Sequence, residues 1–478
     1  MICLTTQEIC EATGAAALVM SASTIRGEVV IDSRAVESGS VFVAFKGEQV
    51  DGNAYLARAI AAGAGAVVAS ADVPSDVLDA ARESGCAVLR AEDDDCEEFL
   101  LRLAGEWRRR HPAWTVVGVT GSVGKTTTKD MLRTGIATGA RVHATAGNLN
   151  NLIGLPLTVL SAPEDAEVLV CELGMNHPHE IDRLAAACRP TLAVITNVGT
   201  SHIGLLGSRE NIARAKAEIV SGMEARGTLS PCLVLASDND FASFIEDGFA
   251  RPAGVRVLRV GMRETDEVHA DDVSVDEEGR PSFDVSMTDG WSRRVTLSIP
   301  GRKVVGDFLL AIAVIDLLGM DRDVAADAIA AMPATRMRLS VITSPAGVRV
   351  IDDSYNASPG SMAAALDVLS EMRCDGRRIA VLGEMGELGA QEERLHALVG
   401  AYAAAKSLDM LVFVGGELAS CMAEAARTMG YSDDLITSFP TVEDAIATLR
   451  DVLAEGDLVL VKASRSAGLD EFVREVLV

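Results

Sequence analysis

The sequence predicts an α/β protein of three domains, the middle one built on a mainly parallel, doubly wound sheet. Three observations lead to this reading. The chain has 478 residues, and at roughly 100–200 residues per domain that length divides into roughly two to four units. Hydrophobic residues make up 49% of it but aromatics only 4%, which suits Ala-rich helices packed on Val- and Ile-rich strands. Short apolar runs alternate with helical stretches over most of the chain, the pattern of βαβ units.

The first block covers residues 1–110. Strand-like runs fall at Val29–Ile31, Val41–Phe45 and Ala66–Ala69, with an Ala-rich helix near Ala54–Ala62. The basic run Arg108–His111, closed by Pro112, reads as a hinge. The second block, 111–333, opens with the apolar strand Thr115–Val119, a Gly-containing turn and a helix from Lys125. Further strands read at Val168–Cys171, Leu192–Thr196 and Leu233–Ala236. The polar stretch Asp266–Arg294 reads as β-hairpins leaving the sheet, and Ala311–Leu318 as a helix. The third block, 334–478, repeats the alternation on a smaller scale. Its strands are Arg349–Asp352, Ile379–Leu382, Leu411–Val414 and Leu458–Val461, and Ser361–Glu371 is a helix among them.

The formal net charge of -26 repels nucleic-acid phosphates and anionic membrane surfaces, so neither is an expected partner. The nine cysteines are scattered and form no CxxC pair, which fits neither a disulfide framework nor a thiolate zinc site. No basic stretch followed by a long apolar run opens the chain, and no apolar run approaches the ~20 residues of a membrane span. The expectation is a cytoplasmic protein without membrane insertion.

The strongest local motif is Thr120-Gly121-Ser122-Val123-Gly124-Lys125-Thr126-Thr127, set between a strand and a helix. Glycines let the backbone curl so that successive N–H groups point at phosphate oxygens, and the helix N-terminus adds partial positive charge. Lys125 would reach the outer phosphates and the Thr126 hydroxyl would face a magnesium ion. Val119 stands where the full Walker pattern has a glycine, so the match is to a shorter GxxGKT form. Glu172 and His202 follow two further strands, and doubly wound sheets place ligands at those carboxyl ends. A carboxylate and a hydroxyl suit magnesium. Read alone, His202 would be a structural imidazole, Glu172 a capping or paired carboxylate and Lys216 an ordinary helical lysine.

With these residues the chain resembles the Mur ligases, and within that family the MurF branch. The resemblance spans essentially the whole chain. It rests on Asp32-Ser33-Arg34, the run Phe42 to Gly47, the phosphate loop, Asn148-Leu149-Asn150-Asn151, Glu172-Leu173-Gly174-Met175 and His202. In the third block it rests on Asp352-Asp353-Ser354-Tyr355-Asn356-Ala357-Ser358-Pro359 and on Gly383 to Gly389. The resemblance implies an ATP-dependent ligase that adds D-alanyl-D-alanine to a UDP-MurNAc-tripeptide through an acyl-phosphate, acting as a monomer. It implies a small N-terminal domain binding the UDP end through Ser33, Arg34 and Lys46. The implied central domain is a P-loop ATPase with Asn150 and Asn151 facing the sugar or pyrophosphate. A Rossmann-like C-terminal domain would close over ATP, with Asp353 and Asn356 near the ribose and phosphates and Arg336 approaching the phosphates.

By the same resemblance Gly121 to Thr127 hold the nucleotide, and Lys125, Glu172, His202 and Lys216 carry the chemistry. Two magnesium ions would sit on Thr126, Glu172, His202 and Lys216, the lysine as its carbamate. The chain departs from the family at Gly301-Arg302-Lys303-Val304-Val305-Gly306-Asp307, where Lys303, Val304 and Asp307 replace polar residues used near the adenine, and at Asn53. Other Mur-type or folylpolyglutamate-type amide ligases share the expected fold. A non-catalytic nucleotide-binding relative is the reading from another class, and it gives no reason to keep Lys125, Glu172, His202 and Lys216 together.

Overall fold

The structure is a computed structural model and describes residues 1–47 and 49–476. The first block contributes β1 (Ile2–Leu4), β2 (Ala16–Val19), β3 (Ile25–Gly27), β4 (Val29–Val30), β5 (Val41–Val43), β6 (Ala66–Ala69) and β7 (Ala87–Arg90). β1 and β3 pair as an antiparallel ribbon. The others form a sheet in the order β2-β7-β6-β5-β4, parallel from β4 to β7 with β2 antiparallel at the edge.

The central sheet has nine strands: β8 (Thr115–Thr120), β9 (Val142–Ala144), β10 (Val168–Glu172), β11 (Leu192–Ile195), β12 (Cys232–Ala236), β13 (Arg256–Gly261), β14 (Val268–Val275), β15 (Pro281–Met287) and β16 (Ser292–Thr296). Their order is β16-β15-β14-β13-β12-β11-β8-β10-β9. Every residue of β8, β10, β11 and β12 is buried, as expected of strands covered by helices on both faces, and this is why they read as unbroken apolar runs. The stretch Asp266–Arg294 does not leave the sheet. It supplies β14, β15 and β16, the last two joined antiparallel at the edge. Along β15 buried residues alternate with partly exposed ones, so half of its side chains are free to be polar. The expected helix at Ala311 begins at Val304 and runs to Leu317. It is apolar almost all round, which hides the 3.6-residue period that would mark its start.

The run Arg108–His111 lies at a helix end rather than in an open linker. Arg108 to Arg110 form the last turn of the helix Cys96–Arg110. The Arg108 guanidinium is buried, donating to the Cys188 carbonyl at 3.2 Å and to the His111 carbonyl at 2.9 Å. That fastens the first block to the central one.

The third block adds β17 (Ser340–Thr343), β18 (Arg349–Asp352), β19 (Arg378–Gly383), β20 (Met410–Val414), β21 (Ile436–Phe439) and β22 (Leu458–Lys462), in the order β17-β18-β22-β19-β20-β21. Only β17 runs antiparallel. Among the described residues no helix is long and apolar enough to cross a membrane.

The third and central blocks meet where the Gly204 N–H donates to the Glu387 carbonyl at 2.9 Å. A Cβ on Gly204 would stand 2.5 Å from the Gly389 nitrogen, so the two backbones approach closely only because Gly204 has no side chain. Overpacking a fitted contact costs ~1–3 kcal/mol. Gly204→Val is therefore expected to leave both blocks folded while speeding amide hydrogen exchange at residues 387–391 by roughly tenfold or more. Unchanged exchange there would show that the contact does not hold the blocks together.

Candidate active site

A cavity of about 320 Å³ lies between the central and third blocks, at the carboxyl ends of β8 and β10. Its floor is the loop Gly121 to Thr127, leading into the helix Lys125–Ile136. The first N–H groups of that helix have no helical acceptor and carry its positive dipole end. The loop is fixed from behind by Asn197, whose carboxamide accepts from Val123 N–H and donates to the Val123 carbonyl, both at 3.0 Å. Gly124 sits at φ +86 with the Asp307 carboxylate 2.4 Å from where a Cβ would be, so neither backbone nor space admits a side chain there. Lys125 Nζ donates to the Gly121 carbonyl at 2.8 Å. Burial and the nearby Arg338 lower its pKa, against the pull of Glu172.

Beside the loop the Thr126 hydroxyl donates to Glu172 Oε2 at 2.9 Å, and Asn150 Nδ2 donates to Glu172 Oε1 at 2.8 Å. All three line the cavity. Glu172 is buried as the last residue of β10. Among the described residues no three His, Cys, Asp or Glu side chains converge as a metal cage. A hydroxyl beside a carboxylate is a hard-oxygen pair of the kind that suits magnesium, an ion that completes its shell with water and phosphate oxygens.

Lys216 also lines this cavity, 2% exposed on the helix Arg209–Ala217. Burial, with a smaller push from Lys125, drives its pKa well below the ordinary lysine value. His202 lines it as well, but its Nδ1 lies 2.5 Å from Glu387 Oε2 in the third block. The angle leaves Nδ1 without an aligned hydrogen bond, and the closeness of His202 holds the Glu387 carboxyl below the usual range.

From the third block Asp353 and Asn356 reach the cavity. Lys462, 1% exposed at the end of β22, fastens them, with Nζ 2.5 Å from Asp353 Oδ2 and 3.0 Å from the Asn356 carbonyl. An apolar run ending in a charged residue at a strand's carboxyl end was its only sequence signal. Arg336 does not line the cavity, and its charge bears on Asp352 instead. Arg338 does line it, with its guanidinium 4.2 Å from the centre of the Tyr355 ring. Asn151 is likewise absent from the lining; its side chain accepts from Gly154 N–H at 2.8 Å and starts the helix Gly154–Leu160.

Ser33, Arg34 and Lys46 stand apart from the cavity, just beyond the carboxyl ends of β4 and β5. Arg34 pairs with Asp32 at 2.7 Å. Asn53 ties the same edge to β6, donating to Ser70 Oγ at 2.9 Å and accepting from Ser70 N–H at 3.0 Å.

Comparison with known proteins agrees with this layout. Three family models match in succession: the Mur ligase family catalytic domain over residues 27–107, the Mur ligase middle domain over 119–315, and the Mur ligase glutamate ligase domain over 337–465. The UDP-N-acetylmuramoyl-tripeptide–D-alanyl-D-alanine ligase of Bacillus subtilis is 35% identical over 449 residues, covering 94% of this chain and 93% of its own. The crystal structure of MurF from Acinetobacter baumannii superposes with a TM-score of 0.87 at 28% identity, covering 100% of this chain and 99% of its own. MurF of Thermotoga maritima, solved in complex with ADP, superposes at 0.78 and 28% identity, covering 94% and 96%. With a relative this similar over nearly its full length and three matched domains in the family's order, the chain belongs to the Mur ligase family.

Proposed function

We propose that this chain is the ATP-dependent ligase that joins D-alanyl-D-alanine to UDP-MurNAc-tripeptide in peptidoglycan precursor synthesis. One observation carries the reading. The phosphate loop, the Thr126–Glu172–Asn150 oxygen cluster and the buried Lys216 open into one cavity, and residues of the third block complete its wall. That brings a nucleotide's terminal phosphate next to a place where a second anion can be held.

In this reading Gly121 to Thr127 cradle the ATP phosphates through backbone N–H groups, and Lys125 swings from the Gly121 carbonyl to the outer phosphates. Thr126 and Glu172 would hold magnesium, which when bound offsets phosphate charge. Ser33, Arg34 and Lys46 bind the UDP end of the precursor, and its peptide carboxylate reaches the cavity past Asn150. A carboxylate oxygen attacks the γ-phosphorus and ADP leaves. The amine of D-alanyl-D-alanine then attacks the acyl carbon and phosphate leaves. Water would hydrolyse the acyl-phosphate, so docking of Glu387 on His202 and of Asp353 over the loop serves to keep the intermediate dry. Arg338 takes the phosphate-facing role expected of Arg336. All of these groups come from one chain, which suits a monomer.

Lys216 adds a further element. A neutral buried amine can add CO₂ and release a proton, becoming an anionic carbamate that offers oxygen to a cation; arginine cannot. The tests are separable. Incubation with UDP-MurNAc-tripeptide, ATP and magnesium should release phosphate only when D-alanyl-D-alanine is present, with the pentapeptide product seen by mass. Phosphate release that ignores the dipeptide would contradict the reading. Lys125→Ala should stay folded and lose roughly a hundredfold or more in turnover. Lys216→Arg should also slow turnover. Removing CO₂ should slow the wild type and leave this variant's residual rate unchanged, and a carbamate carbon signal in ¹³C NMR should be confined to the wild type.

A further inference from the structure

The third block presents two loops to the central one, and both are tied to the end of β22, which lies between β18 and β19. Lys462 fastens Asp353 and Asn356, which follow β18. The Ser464 N–H donates to the Glu384 carbonyl at 2.9 Å and so fastens residues 384–388, which follow β19. Of the two loops, only the first lines the cavity. The second meets the cavity wall at His202. Its Glu387 carbonyl accepts from the Gly204 N–H at 2.9 Å, and the Glu387 carboxylate stands against the imidazole. The loop holds an uncommon shape to do so. Glu387 sits at φ +61, in the left-handed region, where a residue with a side chain persists only if its surroundings fix the backbone.

Three further contacts fix the loop from within the third block. Glu384 Oε1 accepts from the Gly416 N–H at 2.8 Å and from the Ala419 N–H at 3.2 Å, capping the helix Glu417–Thr428. The Leu388 side chain is buried in the core. The N–H of Met385, also buried, donates to His396 Nε2 at 2.8 Å. His396 is 0% exposed on the helix Glu392–Ala404. Its Nδ1 lies 2.7 Å from the Glu392 carbonyl, which can only accept. Nδ1 therefore carries the proton and Nε2 offers its lone pair to the loop, a pair of roles that only a neutral imidazole can fill. Packing alone would be met by an apolar side chain of similar volume. Such a residue would leave the buried Met385 N–H without an acceptor.

We propose that His396 is a positioning residue of the ligase: as a neutral acceptor it holds residues 384–388 as a preformed latch, through which the third block docks on the helix Ile203–Leu206 and closes the cavity. His396 does not line the cavity, so its effect reaches the chemistry only through the loop. A loop that had to be ordered anew at each closure would cost conformational entropy every time, and a preformed one does not. The kinetic part of this inference rests on the ligase reading; the structural part does not.

Two substitutions separate the acceptor from the packing. His396→Gln brings an amide oxygen to the position of Nε2, whereas His396→Asn reaches only as far as Nδ1. Pentapeptide formation should slow roughly tenfold in His396→Asn and return to within roughly twofold of the wild type in His396→Gln. Hydrogen exchange of the unliganded full chain should follow the same order. Residues 384–388 and the Gly204 amide, which the Glu387 carbonyl protects, should exchange roughly tenfold faster in His396→Asn and at nearly the wild-type rate in His396→Gln. In the wild type, ¹⁵N NMR of the histidines should show His396 with its proton on Nδ1 and a bare, hydrogen-bonded Nε2, a reading that stands even if His396→Asn does not fold. Equal rates and equal exchange in the two variants, or a proton on Nε2 in the wild type, would overturn the proposal. Exchange that quickens at 384–388 and not at Gly204 would overturn it too, for it would mark a loop anchor without a latch. Exchange and NMR need no turnover, so they stand or fall separately from the pentapeptide assay.

Discussion

Everything in the central cavity follows from one constraint: a protein with a formal charge of -26 must hold a polyphosphate and a carboxylate within reach of each other. Surface charge cannot do this, so the positive potential is local and directional. It comes from the N–H groups at the start of the helix Lys125–Ile136 and from Lys125, set at the carboxyl edge of a buried parallel sheet where neighbouring strands also deliver Glu172. β8, buried along its whole length and apolar between Thr115 and Thr120, is the rigid stem on which the loop is set.

The second theme is that the site is divided between two blocks. Asp353, Asn356, Arg338 and Lys462 belong to the third block, while the loop and the oxygen cluster belong to the second. A charge as deeply placed as Lys462 is tolerated because Asp353 and the Asn356 carbonyl receive it. Removing either partner would leave an uncompensated buried charge. The same pairing sets the loop Asp353–Asn356 over the nucleotide side of the cavity. Gly204 against Gly389, and His202 against Glu387, are two of the points where the blocks meet.

The residues differ in how far the sequence alone discloses them. The phosphate loop, Glu172 and the strand pattern were legible because each depends on local chemistry: a Gly turn, a strand end, an apolar run. The antiparallel edge β14–β16 read as an excursion because half-buried strands carry polar residues on their open face. Arg108 read as part of a hinge because a buried arginine satisfied by carbonyls looks, in sequence, like any basic run. Lys462 and Arg338 were out of reach for a different cause, since only the packing of the third block on the second brings them to the cavity. Arg336 and Asn151, which the motifs also single out, do not line the cavity, and Asn151 instead accepts from the Gly154 N–H.

The claim at the centre of this account is that a peptide carboxylate and the γ-phosphate of ATP react directly with each other in this cavity. Isotope transfer tests it most directly. With ¹⁸O in the carboxylate of the UDP-MurNAc-tripeptide, ligation through an acyl-phosphate must move one labelled oxygen into the released phosphate. Labelled phosphate formed in step with the pentapeptide product is the predicted result. Product formed with unlabelled phosphate, the ¹⁸O having remained with the peptide, would contradict the account.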